Sequence, residues 1–488
     1  MKIIIVGAGI AGLSAYLHLR KHLPSPSTHT ITIYESHHPR RTPSSDFHSS
    51  ETHTENFQST DINLATLSES TAIVGGGLGI SPNGMRVLRN LDIELHNAVV
   101  AQGFPVSHFV FRGANGWVLG ASPTTDRTVR NEDEGEEEVC VASSRHGLRE
   151  TLLKFVLQAG GKVQYRKITS VGREASGRPF VSSTDEDGAE RVDEADLVIG
   201  ADGVKSVVRH ALFGDDKAYQ PSYTGLSGIG GFLTTPLPPQ TLKPPSMHFT
   251  FGRNGFFGYS PASSPSTQSL MWWSTYETPL SSTASPTAIK AALRARHKHW
   301  RDPIIQDIVS KVEVESIYPT WVLDDLPQWG ERGIVLIGDA AHALDPTTGQ
   351  GASQALEDSQ TLSLLLLSTL SCTANTPPRN VGVSSTSSGS SENVNDHVDV
   401  AIKLFYNIRS PRVREIVERG KKMSSQKADV GVVAEYFMYL FLWAVTRFPS
   451  IGKMMLGDVN KKLYTWSAEV EVRKATEKEE RLADEADA

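Results

Sequence analysis

Three glycines spaced as Gly7-x-Gly9-x-x-Gly12 follow an apolar run, Lys2-Ile3-Ile4-Ile5-Val6, and an acid, Glu35, closes the next apolar run. A short buried strand that turns into a helix at such a triplet can bind a dinucleotide. Gly7 permits the tight turn, Gly9 lets a pyrophosphate approach the backbone, and Gly12 lets helix and strand pack closely. The free amides and the positive end of the helix dipole then face the phosphates. Glu35 lies 23 residues after Gly12, near the spacing at which a carboxylate accepts from ribose hydroxyls. The triplet alone also fits a glycine-rich turn that holds no ligand. Leu13, Leu17 and Leu19 on the following helix, and the strand Ile31-Thr32-Ile33-Tyr34-Glu35, favour the nucleotide.

Two later segments place further chemistry at strand ends. One runs from Asp196 to Arg209 through Ile199-Gly200-Ala201-Asp202-Gly203. The other runs from Gly338-Asp339-Ala340-Ala341-His342 through Pro346 to Gly351-Ala352 and on to Asp358. A strand ending in Gly338-Asp339 sets a carboxylate at its C-terminal edge, where α/β sheets bind ligands. A turn at Pro346–Gly351 and a helix from Ala352 would aim a helix N-terminus at a bound ring and stabilise negative charge developing there.

With Gly75-Gly76-Gly77-Leu78-Gly79-Ile80-Ser81-Pro82-Asn83-Gly84 and Ser144-Arg145-His146-Gly147-Leu148, these segments give four motifs in order. On them the chain resembles the FAD-dependent aromatic hydroxylases of the para-hydroxybenzoate hydroxylase fold. The likeness is greatest to salicylate-hydroxylase-like and fungal secondary-metabolite FAD monooxygenases. It covers roughly residues 1–35, 74–95, 140–215 and 330–425. It implies that Gly7, Gly9 and Gly12 cradle the FAD pyrophosphate and that Glu35 holds the adenosine ribose. It implies that Gly77 and Gly79 let the backbone approach the cofactor. Arg145 would contact the phosphate or ribityl region, Asp202-Gly203 would serve FAD and NAD(P)H, and Asp339 would bind a ribityl-side hydroxyl. Gly351 and Ala352 would offer backbone groups near the ring. A strand-ending turn is the alternative for Asp202.

The implied reaction is monooxygenation with non-covalent FAD. NADPH or NADH reduces the flavin, O2 adds to it, and the hydroperoxide passes one oxygen to an aromatic or polyketide-like molecule. The product would be a hydroxylated or epoxidised compound, in keeping with secondary metabolism. Such chemistry needs no catalytic triad, because the cofactor carries it. Tyr223, Tyr259 and Arg253 are polar candidates near a substrate, and none is given a catalytic role. The alternative on the same fold is a flavin-dependent reductase or dehydrogenase without oxygen transfer. A halogenase would need a Trp-x-Trp-x-Ile-Pro motif, which the sequence lacks. One departure from the family pattern is the length of chain, about forty residues, between Glu35 and Gly75. His37 or Arg40 in it could approach the adenine, but solvated loop residues are expected.

These parts imply an α/β fold: a Rossmann-like FAD-binding domain of GR2 type, an inserted, mainly antiparallel β-sheet substrate domain, and a helical C-terminal region. The expected division is 1–215 and 321–372 for FAD, 216–320 for substrate, 373–396 as a disordered loop and 397–488 as helices. Polar insertions are expected at 36–60 and 122–138, the second ending in a solvated acidic run. Helices are expected after Pro82 and over Arg145–Gln158, and strands at 162–165, 195–200, 246–251, 270–274 and 333–339.

At 488 residues, 39% hydrophobic and 21% charged, the chain has length for two or three domains. Its net charge of −7 and the lack of a basic stripe argue against nucleic acid. Cys140 and Cys372 are too few for a disulfide framework, and a cytoplasmic location is expected. Cys140 reads as a small buried residue and His342 as packing. His18 and His22, at i and i+4, read as a solvated helix face, and no metal site is expected. The start reads as folded chain and not a signal peptide. Tyr436–Val445 is too short to span a bilayer and reads as a buried or amphipathic helix, ahead of membrane-surface contact.

Overall fold

In the computed structural model, residues 1–37, 62–63, 76–125, 137–185, 187–253, 255–279, 283–313, 316–375, 389–424, 431–448, 450 and 459–487 are described. Arg40, Gly75, most of 36–60 and residues 126–136 lie outside them.

Two sheets carry the architecture. The first has six strands in the order Gly330–Glu331, Ile334–Leu336, Leu197–Gly200, Lys2–Val6, Thr30–Glu35 and Val163–Tyr165. All neighbours are parallel except the first pair. Ile3, Ile4 and Ile5 are fully buried, as a parallel sheet covered on both faces requires. The helix Ile10–His22 packs between the helices Arg145–Gln158 and Gly351–Asn375. The sheet is therefore assembled from chain segments far apart in sequence.

The second sheet has seven strands: Ser316–Val322, Ser222–Thr234, Ser269–Glu277, Gly255–Pro261, Ser246–Gly252, His108–Gly113 and Val118–Pro123. It is antiparallel except where Ser246–Gly252 meets His108–Gly113. Its last two strands come from a region that the sequence pattern groups with the first segment. Phe109 and Phe111 alternate with Val110 and Arg112, and that period-two pattern finds its apolar face only by pairing with Met247 and Phe249.

The two faces of this sheet differ. Ile229, Phe257, Tyr259 and Trp272 point to the back, where the helices Pro286–His297 and Pro303–Lys311 cover them. Met247, Phe249, Met271 and Trp273 point to the front. There they meet a small sheet formed by Gly77–Ile80, Cys140–Ser144 and Phe104–Val106. The helix Val432–Arg447 covers another part of the front, at Leu119, Phe251 and Phe256, through Met438 and Tyr439, while Val433, Phe437 and Leu440 stay exposed. Among the described residues no helix is long and apolar enough to cross a membrane.

Three expectations change. The helix Gly351–Asn375 runs into the stretch expected as a loop at 373–396, and the helix Gly389–Ser424 begins within it. Glu138, the last residue of the acidic run, is half-buried and paired with Arg89 and with His96 at 3.0 Å. His18 is fully buried with neither ring nitrogen hydrogen-bonded among the described residues, because its helix is packed on both sides. Burial, with His22 and Lys21 nearby, holds its pKa well below the usual histidine range.

Candidate functional site

The glycine loop divides its work between packing and openness. Gly7 has φ +104°, and a β-carbon there would stand 2.4 Å from the Ala201 carbonyl oxygen. On Gly12 it would stand 2.0 Å from the Gly7 carbonyl oxygen. On Gly9 it would meet nothing within 4 Å. Gly9 is the N-cap of Ile10–His22 and supplies no capping side chain, so no side chain spends the first-turn amides. The Ala8 amide donates to Glu35 Oε2 at 2.9 Å, and Glu35 Oε1 accepts from the His37 amide at 3.0 Å. Glu35 thus fastens the second strand to the loop and stands beside it. Arg149 Nε donates to the Ala8 carbonyl at 3.0 Å. Sequence reasoning missed Arg149. Its signal was position: four residues after Arg145, it shares that helix face.

Arg145 opens its helix with an exposed side chain, and its amide donates to the Gly76 carbonyl at 3.1 Å. Ser144 Oγ caps the same helix by accepting from the Gly147 amide. Gly77 and Gly79 do not open toward free space. A β-carbon on Gly77 would sit 2.5 Å from Met271 Sδ, and one on Gly79 would sit 3.2 Å from Cys140 Sγ. Their small size admits neighbouring side chains. Burial pushes the Cys140 thiol up to about 12, so it stays protonated and inert.

Asp202 spends its carboxylate locally. Oδ1 accepts from Ser206 Oγ at 2.6 Å, and Oδ2 accepts from the amides of Val207 and Val208 at 2.7 and 3.2 Å. It thereby fastens the turn to the start of the helix Val207–Phe213, the strand-ending turn expected as the alternative for this residue. Gly203, at φ +79°, faces open space beside it. The buried Arg209 donates to the Val204 and Ala340 carbonyls at 2.5 and 3.0 Å, tying this turn to the Gly338–His342 turn.

Gly338, at φ +59°, abuts the glycine loop: a β-carbon on it would lie 3.0 Å from Ala11 Cβ. Asp339 follows, half-buried, and its carboxylate bonds to none of the described residues. The turn is anchored from behind by Asp358. That carboxylate accepts from the Gly338 amide at 2.8 Å, His342 Nε2 at 2.6 Å and Arg409 Nε at 2.8 Å. Burial alone would raise the Asp358 pKa, but His342 and Arg409 outweigh it and hold it at about 2. Glu357 is gripped by Arg409 and Arg412 and accepts from Asn83 Nδ2 at 2.7 Å. The turn is fastened to the small sheet as well, by Gln350 Nε2 to Ser81 Oγ at 2.9 Å and the Ser81 amide to Ser353 Oγ at 3.1 Å. Gly349, at φ +60°, and Gly351 both face open space, with Ala352 next in the helix's first turn.

The polar candidates of the second sheet lie elsewhere. Tyr223 donates to the Thr278 carbonyl at 2.6 Å, and Arg253 is exposed on a hairpin. Tyr259 is fully buried on the back, stacked 4.9 Å from His248 and 3.3 Å from Asp302. The phenol that does stand at the junction is Tyr318. A β-carbon on Gly76 would lie 3.9 Å from its hydroxyl. Burial pushes that phenol up to about 12. Nothing in the local sequence marks Tyr318, because its place depends on strand pairing with Ser222–Thr234.

The residues present fit a dinucleotide that carries a flavin. A β-carbon on Gly338 would lie 3.0 Å from Ala11 Cβ and 3.5 Å from Ala355 Cβ, so the first turns of two helices meet beside Asp339, and β-carbons on Gly9, Gly203, Gly349 and Gly351 would each meet nothing within 4 Å. Fold and cradle together define a nucleotide-cofactor flavoprotein with a second, aromatic-faced sheet against the small sheet. The chain belongs to the FAD binding domain family, which it matches over residues 67–377. Its cofactor is accordingly FAD.

Among curated relatives, it is 29% identical over 297 residues to the chloroplastic zeaxanthin epoxidase of Arabidopsis thaliana, covering 60% of this chain and 42% of that one. It is 33% identical over 174 residues to that of an Oncidium hybrid cultivar, covering 35% of this chain and 24% of the relative. The chain thus spans less than half the length of these relatives. Solved structures share the fold. Klebsiella pneumoniae HpxO, complexed with FAD and uric acid, superposes with a TM-score of 0.65 at 18% identity, covering 94% of this chain and 97% of that one. A salicylate hydroxylase substrate complex gives 0.65 at 16% identity, covering 97% and 98%.

Proposed function

We propose that this chain is an FAD-dependent monooxygenase that uses NAD(P)H and O2 to hydroxylate or epoxidise an aromatic or polyketide-like small molecule. The observation that carries it is the meeting of two helix N-terminal turns, at Ala11 and Ala355, on Gly338 beside Asp339, with Gly9, Gly349 and Gly351 open-faced and Gln350 tied through Ser81 to the end of a strand of the small sheet that faces the aromatic one. Gly7 and Gly12 set the loop's shape, and Gly9 admits the pyrophosphate to the first-turn amides. Glu35 takes the adenosine ribose, Arg145 and Arg149 the phosphate and ribityl region, and Asp339 a ribityl-side hydroxyl. The N-terminus of Gly351–Asn375 directs Gly351 and Ala352 at the ring and favours negative charge there. Gly77, Gly79 and Asp202 shape the walls. The flavin, when bound, supplies the redox and oxygen chemistry, and the protein orients it and keeps water from it.

Hydroxylation and epoxidation both have support, since the names of its relatives and fold neighbours include an epoxidase and a hydroxylase. A cytoplasmic location belongs to the same proposal, supported by a chain with two cysteines, of which Cys140 is free. The test is a panel of phenolic, anthraquinone and indole compounds assayed for stimulated NAD(P)H oxidation, with ¹⁸O2 as the oxygen source. Label in the product supports the proposal. Stimulated NAD(P)H oxidation that leaves no label in any product would show a reductase instead.

A further inference from the structure

The front face of the seven-stranded sheet has an unusual floor. A β-carbon on Gly228 would stand 2.0 Å from Tyr318 Cε2, and one on Gly258 would stand 2.2 Å from Trp273 Cε2. Each ring therefore lies flat across a glycine of the neighbouring strand, with its broad face turned away from the sheet. Alternation places Phe232, Phe249, Met271 and Thr275 on the same side. Tyr318, Trp273, Thr275, Phe232 and Phe249 are partly accessible there, whereas Trp272, Ser274 and Tyr276, on the back, are buried.

The charges of this region are segregated. Arg112, Asp302, His248 and His297 all lie on the back, and Arg112 Nε sits 3.0 Å from Asp302. On the front, the described residues of the strands carry one charge, Glu277, exposed at the rim. Of the elements packed there, the strand Gly77–Ile80 is uncharged, and the helix Val432–Arg447 brings Glu435, bonded to the Tyr439 hydroxyl, with Arg447 exposed at its last residue. Arg145, beside Gly76, is committed to FAD in the function proposed above. An ionised carboxylate held in such surroundings would find no uncommitted cation on these elements, among the described residues, to offset its desolvation. A neutral ring gains offset or edge-on aromatic contact instead.

We infer that this floor selects an uncharged, largely apolar ring system, stacked on Trp273 and Tyr318 and anchored by the Tyr318 hydroxyl, and that it rejects ring carboxylates. The inference rests on the monooxygenase function proposed above and narrows its substrate class. The phenol stays protonated at neutral pH and donates to an uncharged oxygen of the ligand.

The experiment is equilibrium dialysis of the holoprotein against matched pairs: 2-naphthol with 3-hydroxy-2-naphthoate, anthraquinone with anthraquinone-2-carboxylate, and indole with indole-2-carboxylate. The expected result is at least about tenfold tighter binding of the neutral member. Tyr318→Phe should weaken 2-naphthol about five- to tenfold with FAD content unchanged. Thr275→Lys, which adds a cation to the floor, should shift the preference about tenfold toward the carboxylates. Carboxylates that bind as well as their partners, or no neutral compound bound up to its solubility, would overturn the inference. So would a 2-naphthol affinity indifferent to both Tyr318→Phe and Trp273→Leu. Loss of the monooxygenase function would register separately, as missing FAD or missing oxygen transfer, while the dialysis still ranks the pairs.

Discussion

A β-carbon on Gly12 would stand 2.0 Å from the carbonyl oxygen of Gly7, so the first and third glycines of the loop are bound to each other by shape. The middle glycine, Gly9, has no such neighbour. Two substitutions should therefore separate folding from cofactor binding. Gly12→Ala forces strand and helix apart and should lower the thermal midpoint by several degrees, a cost of about 1–3 kcal/mol. Gly9→Val should leave the far-ultraviolet circular dichroism unchanged and weaken FAD binding at least tenfold, by filling the space the pyrophosphate needs. Equal effects on both properties in both variants would contradict the division.

Asp339→Ala should cost cofactor and not fold. Its carboxylate is bonded to none of the described residues, so removing it leaves nothing buried unpaired. Loss of one charged hydrogen bond to a ribityl-side hydroxyl corresponds to about 1.5–3 kcal/mol, or roughly ten- to a hundredfold in FAD affinity. Fluorescence titration of the apoprotein with FAD reads it directly, and full retention would remove Asp339 from the site.

Arg409→Met should do the reverse. It leaves Asp358 and Glu357 buried, each short of a cation, and such a loss costs about 3–5 kcal/mol. Because Asp358 also holds the Gly338 amide and His342, FAD retention should fall together with the urea midpoint. An unchanged midpoint would mean that the network does not support the Gly338 turn.

Acid should destabilise the protein before its carboxylates titrate. Burial holds His248 and His297 at about 4, and His18 is held well below its usual range. Between about 6.5 and 4 the unfolded chain binds protons at these positions and the folded chain does not, so stability falls as pH falls. The slope is at most about 1.4 kcal/mol per pH unit for each histidine. Urea midpoints measured from pH 7.5 to 4.5 should decline, and His18→Leu should flatten the decline while raising the midpoint at pH 5. A flat profile in the unmodified chain would contradict burial of these rings in neutral form.

What the sequence disclosed and what it hid follow from the range of the interactions. Gly7, Gly9, Gly12, Gly338 and Asp339 act through backbone turns a few residues long, so their spacing is their structure. The helix Arg145–Gln158 was legible for a similar reason, because Leu148, Leu152, Phe155 and Val156 recur at helical spacing. Tyr318 and Trp273 were not, because each owes its orientation to a glycine on another strand, Gly228 or Gly258. Asp202 is a carboxylate at a strand end, yet the amides of Val207 and Val208 claim it once the next helix forms. His18 looks solvated on a helix read alone and is buried once the helices Arg145–Gln158 and Gly351–Asn375 close on either side.

FAD bound beside Gly9, Asp339 and Gly351 underlies every role proposed for this chain. The most direct measurement is the flavin content of protein purified without added cofactor and of the same preparation after saturation with FAD and desalting. Heat denaturation should release about one FAD per chain from the saturated protein, identified by chromatography, and Gly9→Val and Asp339→Ala should release markedly less. Saturated protein that releases none, or variants that release as much as the unmodified chain, would contradict it.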